Sequence, residues 1–439
     1  MGRSPVRAHL TVPSPRPILR PGDVRDHVAE HVFGPVSDPH GLGIELEWLT
    51  SQNGREHRLA IDEATALIEC LAPLPGGGQL TLEPGGQLEL SSAPFHSIDE
   101  VCAAAAADLA LVDRACGEQR VELLALGADP VRRPERVAVA PRYRAMEQYF
   151  DQLGSAGRTM MCNTAAIQVN VGLGPPAQTE ARWQLANRLG PTLIASFANS
   201  PFADGIPSGW QSSRLRAWWA LDPTRSAPVG RDQAPVDAWF EYALEARVML
   251  ICTDDGGYIP MLQPLSFGEW LGRGHELGWP TIGDLAYHLT TLFPPVRPKG
   301  WLELRMFDAL PSPSWQVALA VTSALLTDPS VADEVAQAIG ETTDLWVDAA
   351  QLGLGHPDLA RSARAVFALA AEALSTAGVS AGLRDLVAEY DDRWISQGRS
   401  PADDRLDAWR LDGELFPPVD LTRPDGRGHD RAELQLDRR

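Results

Sequence analysis

Four short segments of the chain alternate apolar and polar residues with a period of two. In GIELEWL, Ile44, Leu46 and Trp48 alternate with Glu45 and Glu47. The same alternation recurs in QLELS (87–91), AIQVNVG (166–172) and GWLELRMF (300–307). A period of two sends alternate side chains to opposite faces of a strand. The segments therefore predict four strands, each with one apolar face and one face of acids, amides or arginine.

Between and after these segments, apolar residues recur at a spacing typical of helices. The predicted helices cover residues 23–33, 98–118, 177–199 with a bend or break at Gly190–Pro191, and 314–390 with breaks near 328–329 and 353–357. An internal proline removes a backbone donor, which is the reason for the break. Strands and helices mix without a regular strand–helix–strand rhythm. We therefore predict an α+β fold with an antiparallel sheet.

The chain divides into three parts by composition. Residues 1–22 contain five prolines and few core residues, and they predict a flexible leader. Residues 23–395 predict a single domain, with the sheet core over about 41–315 and a helical region over about 314–395. Residues 396–439 are polar and predict a C-terminal arm.

Composition and charge narrow the class of protein. The 439 residues are 44% hydrophobic and 22% charged, with a formal net charge of −20. That charge disfavours nucleic acid or an anionic membrane as a partner. No apolar run is long enough to span a bilayer, and no secretory signal is present, so we expect a cytoplasmic protein. The five cysteines form no CxxC pair and predict reduced thiols.

Candidate chemistry lies on the polar faces of the predicted strands. The acids there are Glu45, Glu47, Glu89 and Glu303, with Glu83 beside the turn at 84–86. For any one strand, an ordinary solvated face explains such residues. Together they are harder to explain, because like charges on neighbouring strands destabilise a sheet. Arg305 supplies one compensating charge, and Mg²⁺ or Mn²⁺ would supply the rest. The pattern predicts a phosphoryl-transfer site.

Arginines cluster in one further stretch, GWQSSRLRAWWALDPTR (209–225), at Arg214, Arg216 and Arg225. Arginine binds carboxylates through two parallel hydrogen bonds, so a substrate carboxylate is one interpretation. A surface loop of salt bridges is the other, and the sequence leaves both open.

Five blocks of the chain carry a resemblance to a known family. They are GIELEWL, LTLEPGGQLELSSAP, TMMCNTAAIQVNVG, FANSPFADGIPSGW and HLTTLFPPVRPKGWLELRMFDALP, in family order from about residue 41 to 315. The chain resembles glutamate–cysteine ligases of the plant and proteobacterial type, and especially the actinobacterial branch that serves ergothioneine biosynthesis. The resemblance implies an ATP-dependent ligase that forms γ-glutamyl phosphate, from which the cysteine amine then displaces phosphate. It also implies a glutamine-synthetase-like antiparallel β-sheet cup with helices packed outside.

The resemblance also implies roles for single residues. The implied metal ligands are Glu45, Glu47, Glu83, Glu89, Gln168 and Glu303. Glu303 and Arg305 are the implied catalytic residues, with Arg305 reaching the transferring phosphate. Arg214 would bind the α-carboxylate of glutamate. Asn170, Arg216 and Arg225 would lie near ATP or substrate.

Some points depart from the family pattern or stay open. Plant members carry arginine where this chain has Asn163, and they use cysteine pairs that have no match here, so we expect no disulfide switch. A ligase of the same fold for another amine or acid is an alternative. A catalytically silent nucleotide- or metal-binding protein is another. Synthesis of a glutathione precursor is the same reaction, and the cysteine pocket and the oligomeric state are open.

Overall fold

A computed structural model describes residues 20–34, 38–55, 57–230, 232–253 and 255–416. The strands are β1 (Leu42–Gln52), β2 (Gln79–Leu82), β3 (Leu88–Ser91), β4 (Val121–Leu124), β5 (Ala166–Gly172), β6 (Phe202–Ala203), β7 (Ile206–Pro207), β8 (Leu250–Cys252), β9 (Tyr258–Pro260), β10 (Val296–Pro298) and β11 (Trp301–Asp308). The helices are α1 (Pro21–His27), α2 (Ile61–Leu71), α3 (Ile98–Glu118), α4 (Pro141–Asp151), α5 (Ala156–Asn163), α6 (Pro176–Ser196), α7 (Ser213–Trp219), α8 (Pro223–Ser226), α9 (Pro235–Glu245), α10 (Phe267–Arg273), α11 (Ile282–Leu289), α12 (Ser314–Thr327), α13 (Ala332–Ala338), α14 (Trp346–Leu352), α15 (Pro357–Thr376), α16 (Ala381–Tyr390) and α17 (Pro401–Asp412). Short π-helical turns (Val28–Val32, Asp391–Ile395) and 3₁₀ turns (Pro329–Val331, Gly353–Gly355) join or extend some of these helices.

One antiparallel sheet organises the molecule. Its strands lie in the order β10-β11-β5-β1-β3-β2, and β4 pairs with the C-terminal end of β1, at residues 49–52. The strands predicted from alternation are β1, β3, β5 and β11, and the turn at 84–86 joins β2 to β3. The prediction of an α+β fold with an antiparallel sheet is confirmed.

The apolar face of the sheet forms the main core. Ile44 pairs with Val169, which pairs in turn with Leu304, and each is at most 1% exposed. Helices α3, α6 and α12 contact this side of the sheet. Because strand side chains alternate, the residues between these apolar positions project from the opposite face.

Helix α3 matches its predicted range, whereas helix α6 continues past a predicted break. Helix α3 covers the predicted residues 98–118, and the Ser97 hydroxyl caps it by accepting from the Glu100 amide at 3.2 Å. Helix α6 differs from the prediction, because it runs unbroken through Gly190 and Pro191. Both residues are buried, and a Cβ at Gly190 would lie 2.0 Å from the Trp346 ring. Tertiary packing here outweighs the loss of one backbone donor.

The C-terminal region is helical beyond residue 395. The predicted polar arm, 396–439, contains α17, and the Nε of Arg405 donates to Oδ1 of Asn199 at 2.6 Å. The structure therefore differs from the predicted arm over α17. Residues 417–439, and residues 1–19 of the predicted leader, lie outside the described residues; Pro21 and Gly22 belong to α1. Within the described part of the chain, no helix combines the length and apolarity needed to span a membrane.

Candidate functional site

The polar face of the sheet brings most of the predicted site residues together. Strand register places Glu47 opposite Glu89, Glu45 opposite Gln168, and Asn170 opposite Glu303. Cross-strand partners share a face and lie within contact distance of each other. We call this surface the polar face; it comprises Glu45, Glu47, Glu83, Glu89, Gln168, Asn170, Arg297, Lys299, Trp301, Glu303 and Arg305.

The acidic half of the polar face consists of Glu45, Glu47, Glu83 and Glu89. Burial and the charge of Glu83 raise the pKa of Glu47 to about 7, and burial and the charge of Glu89 raise the pKa of Glu83 to about 7. Burial, Glu47 and Glu45 raise the pKa of Glu89 to about 8, and burial also raises the pKa of Glu45. These shifts show that the protein supplies too little positive charge for four carboxylates.

The turn that joins β2 to β3 explains the LEPGGQLEL motif. The side chain of Gln87 accepts from the Gly85 amide at 2.9 Å and donates to the Thr164 carbonyl at 2.9 Å. A Cβ at Gly85 would lie 2.3 Å from the Cys162 carbonyl oxygen, so only glycine allows this approach. The turn is thereby fixed to the segment before β5. Glu83 and Glu89, at its two ends, are held toward the same face.

The basic half of the polar face is built around Glu303. Arg297 binds this carboxylate with two hydrogen bonds of 2.6 and 3.0 Å, the Nζ of Lys299 lies at 3.0 Å, and Nη1 of Arg305 lies at 2.8 Å. Burial alone would raise the pKa of Glu303, but the three cations outweigh it and hold the pKa well below its ordinary value. We define the basic half as Arg297, Lys299, Glu303 and Arg305.

Arg305 is the member of the basic half that lies at its boundary with the acidic half. Its Nη1 also donates to Oε1 of Gln168, whose amide nitrogen donates to Glu47 at 2.8 Å. Its guanidinium carbon lies 5.6 Å from the centre of the Trp218 ring. The Nε of Arg305 is buried and has no hydrogen-bond partner among the described residues. An arginine held in this way can present an unused donor to a ligand in the site.

Arg214 is brought close to the polar face from α7. It is 2% exposed, it donates to the carbonyl of Arg305, and its Nη1 lies 3.9 Å from Asp308. Asp308 is itself held by the Ser200 hydroxyl at 2.7 Å and the Ser212 hydroxyl at 2.8 Å. Nη1 of Arg214 has no hydrogen-bond partner among the described residues. Arg214 therefore offers a buried, oriented N–H that can donate to a carboxylate.

Comparison with known proteins identifies the family. A sequence model described as glutamate–cysteine ligase family 2 matches residues 41–431. The chain belongs to this family. It is 40% identical over 373 residues to the glutamate–cysteine ligase EgtA of Mycolicibacterium smegmatis, which covers 84% of this chain and 86% of that protein. The EgtA of Mycobacterium tuberculosis strain H37Rv is 40% identical over 79% of this chain and 80% of its own length.

More distant proteins share the family or the fold. The chloroplastic glutamate–cysteine ligase of Brassica juncea is 32% identical over 62% of this chain and 54% of its own length. The crystal structure of a glutamate–cysteine ligase from Francisella tularensis in complex with AMP covers 85% of both chains, with a TM-score of 0.52 and 13% identity. At that identity the structural likeness shows the fold alone.

The three residues expected near ATP or substrate in this ligase-family chain have different surroundings. Asn170 lies on the polar face and donates to Glu45 at 3.1 Å. Arg216 is exposed on α7, away from buried Arg214. Arg225 is fully buried, and its donors bind Asp222, Thr291, Tyr149 and the Arg247 carbonyl. The structure therefore brings Asn170 to the polar face but does not bring Arg216 or Arg225 there.

The acidic half has donors that suit a hard divalent cation. Its ligands would be carboxylate oxygens, with the amide of Gln168 adjacent, and oxygen ligands select Mg²⁺ or Mn²⁺. A bound cation would lower the raised pKa values of these acids and favour their ionised form. Among the described residues, no group of three acids, histidines or cysteines converges on one point. The residues fit such ions by charge and donor type.

Several residues that support the site were missed by sequence reasoning. Arg297 and Lys299 lie within the motif PPVRPKGWLELR, and a hairpin turn at 299–300 would have placed Arg297 opposite Glu303. Asp308 is the last residue of β11 and gave no local signal, since its partners Ser200 and Ser212 are distant in sequence.

Asn163, at which we expect the sequence to depart from the plant pattern, lies close to an arginine of this chain. Nη2 of Arg58 donates to Oδ1 of Asn163 at 2.6 Å. Asn163 is thus contacted by a guanidinium from another segment of the chain.

Proposed function

We propose that the protein is an ATP-dependent glutamate–cysteine ligase that makes γ-glutamylcysteine for ergothioneine biosynthesis. The observation that carries the proposal is the division of the polar face, with a basic half, an acidic half and Arg305 at their boundary. Two anions, a carboxylate and a triphosphate, must approach each other in this reaction, and the divided face can hold both. The relatives named EgtA, at 40% identity over most of the chain, support the same reaction and pathway.

The proposed reaction has two steps. An oxygen of the glutamate γ-carboxylate attacks the γ-phosphorus of ATP, and ADP leaves. The amine of cysteine then attacks the carbonyl carbon of γ-glutamyl phosphate, the amide bond forms, and phosphate leaves as the nitrogen loses a proton. Both steps build negative charge on phosphoryl oxygens, which preorganised cations stabilise most effectively.

The residues of the chain divide this work. Arg305 stabilises the transferring phosphoryl group through its free Nε and its guanidinium charge. Arg214 binds the α-carboxylate of glutamate with the unused Nη1, and this fixes the γ-carboxylate relative to Arg305. Glu45, Glu47, Glu83 and Glu89, with Gln168 beside them, would hold Mg²⁺ or Mn²⁺. When bound, the metal supplies the positive charge that the acidic half lacks and orients the phosphates.

Glu303 has a different role from the other acids in this proposal. Both of its oxygens accept hydrogen bonds from cations, so it positions Arg305. Metal ligation by Glu303, which the family resemblance implies, requires Arg297, Lys299 or Arg305 to release one of these oxygens.

The experiment that tests the function measures ADP release by the purified protein with Mg-ATP and glutamate. Cysteine is compared with a panel of other amines, and mass spectrometry identifies the product. The proposal predicts that cysteine gives the fastest turnover and that γ-glutamylcysteine accumulates. A faster reaction with another amine would replace the acceptor but keep the phosphoryl chemistry. ATP binding without turnover on any amine would favour a silent nucleotide-binding protein.

A further inference from the structure

Lys299 is chemically unique in this chain. Of the 38 lysine and arginine residues, it is the one lysine. It lies in the turn between β10 and β11, where its amide donates to the Trp301 carbonyl at 2.8 Å. The neighbouring Gly300 adopts a φ of +84° and donates to the Val32 carbonyl at 3.1 Å. The backbone of this turn is therefore anchored, while the Lys299 side chain is 39% exposed.

The contact of Lys299 with Glu303 is surplus to what that carboxylate needs. Arg297 already binds both oxygens of Glu303, and Arg305 adds a further hydrogen bond. Three cations thus surround one carboxylate, and the side chains of Arg297 and Arg305 are only 13% and 15% exposed. The next carboxylate that senses Lys299 is Glu45, whose pKa is raised by burial in spite of it. Two positive charges remain available to an anion.

Lysine also differs from arginine in how it can use that charge. The guanidinium of Arg297 is a planar fork fixed by two parallel bonds, whereas the Lys299 ammonium is a point charge on a flexible stem. Lys299 can therefore move from Glu303 to an incoming anion without disturbing Arg297. Lysine binds phosphates in this way.

Trp301 adds a flat apolar surface beside Lys299. Its indole lies on the same face of β11 as Glu303, it is 38% exposed, and its Nε1 donates to Oδ1 of Asn170 at 2.9 Å. The Nζ of Lys299 lies 5.1 Å from the centre of its ring. A half-exposed aromatic ring that is fixed at the edge of a polar site can stack with a nucleobase.

We propose that Lys299 and Trp301 form the nucleotide subsite, in which the ammonium binds the polyphosphate and the indole stacks on the purine. Without a bound cation the acidic half repels a polyphosphate, while the basic half has uncompensated positive charge at its accessible edge. The ligand is therefore a nucleoside di- or triphosphate that enters at the β10–β11 turn, and the proposed use of ATP makes its base a purine. This inference rests on the proposed use of ATP and assigns residues to it.

The single lysine makes one half of the proposal directly observable. Reductive methylation with ¹³C-formaldehyde keeps the charge of an amine and labels Lys299 and the N-terminal amine. We expect Mg-ADP and inorganic tripolyphosphate to shift the Lys299 resonance in an NMR spectrum, and adenosine to leave it unchanged. The N-terminal amine is the internal control, since none of the three ligands should move its resonance.

Calorimetric titration of Mg-ADP tests the other half. Trp301→Ala should weaken ADP binding by roughly tenfold and leave tripolyphosphate binding unchanged. Trp301→Phe should bind ADP nearly as the parent does. Lys299→Met should weaken binding of both ligands. Trp279→Ala is the matched control, because Trp279 is 55% exposed and lies outside the polar face.

The outcomes separate this subsite from the function itself. If Mg-ADP binds but the Lys299 resonance does not move, or if Trp301→Ala binds like the parent, the subsite is overturned and the ligase proposal stands. If Mg-ADP does not bind at all, the subsite is overturned, and the turnover assay with Mg-ATP, glutamate and cysteine decides the reaction separately.

Discussion

In the basic half of the polar face, three cations surround one carboxylate, whereas in the acidic half four carboxylates share the fields of a few cations placed around them. The pKa of Glu303 is lowered and the pKa values of Glu47, Glu83 and Glu89 are raised. Both halves belong to one sheet, and Glu303 is more buried than the four acids of the acidic half, which by itself would raise its pKa. The difference therefore comes from which charges the neighbouring strands supply.

The two halves have opposite imbalances of charge. The basic half has more positive charge than it uses, and the acidic half has less than it needs. A ligand with a polyphosphate and a divalent cation would correct both. Arg305 contacts Glu303 directly and also lowers the pKa of Glu47 and Glu83 by its field, so it links the halves.

The largest effect should come from removing that link. Arg305→Ala should lower kcat by ~10³-fold or more, because it removes positive charge at the transferring phosphoryl group. Steady-state kinetics of ligation measures this, and circular dichroism confirms that the variant is folded. Arg216→Ala, an exposed arginine nearby, is the matched control. Near-normal turnover in a folded Arg305→Ala variant would remove Arg305 from the reaction.

Opposite effects on stability should follow from neutralising one acid in each half. Glu303→Gln leaves three cations without their carboxylate, so the free energy of unfolding should fall by about 3 kcal/mol and turnover by orders of magnitude. Glu89→Gln removes one of four crowded charges, so the metal-free protein should become more stable at pH 8, by about 1 kcal/mol. Urea unfolding in EDTA measures the change in the free energy of unfolding for both variants. Equal signs for the two variants would contradict the division into halves.

Arg214→Ala should act mainly on glutamate. Loss of the charge-assisted hydrogen bond to the α-carboxylate should raise the KM for glutamate by roughly 10- to 100-fold, with a smaller change in the KM for ATP. Initial rates at varied glutamate and fixed ATP provide the measurement. An unchanged KM for glutamate would assign the carboxylate to another residue.

The smallest effect concerns pH. The folded pKa values of Glu47, Glu83 and Glu89 lie above the ordinary value of 4.5, at about 7 to 8. The folded state therefore binds more protons than the unfolded state between about pH 5 and 8, and stability falls as pH rises through this window. Glu303 has the opposite shift and stays ionised throughout it.

This window can be examined by thermal unfolding from pH 5.5 to 8.5. In EDTA the Tm should fall by a few degrees as the pH rises, and Mg²⁺ should restore more of it at pH 8 than at pH 6. Glu89→Gln should flatten the decline, which separates the acidic half from other titrating groups. A Tm in EDTA that rises with pH, or a Mg²⁺ effect of equal size at both pH values, would count against cation binding by these acids.

Local patterns were sufficient to predict the strands and the acids. Glu45, Glu47, Glu89 and Glu303 stand at alternating positions, and alternation alone places them on one face of the sheet. The roles of these residues remain predictions. The counter-charges were harder, because Arg297 meets Glu303 only through the register of a hairpin.

Burial of single arginines could not be predicted from sequence. Arg214 and Arg225 lie in the same tryptophan-rich stretch, yet one keeps an unused donor near the polar face and the other is enclosed by Asp222, Tyr149 and Thr291. Only the folding of distant segments distinguishes them. The unbroken helix through Pro191 has the same origin, since the buried contact at Gly190 is with Trp346.

The contact of α17 with Asn199 makes the end of the chain part of the site's support. Arg405 donates to the side-chain oxygen of Asn199. The backbone N–H of Asn199 donates to Asp308, the acid beside Arg214, at 2.8 Å. A truncation before residue 401 would remove this brace, whereas a tag after residue 416 would leave it in place. Shortening the protein from its C-terminus should therefore affect glutamate recognition before it affects the sheet.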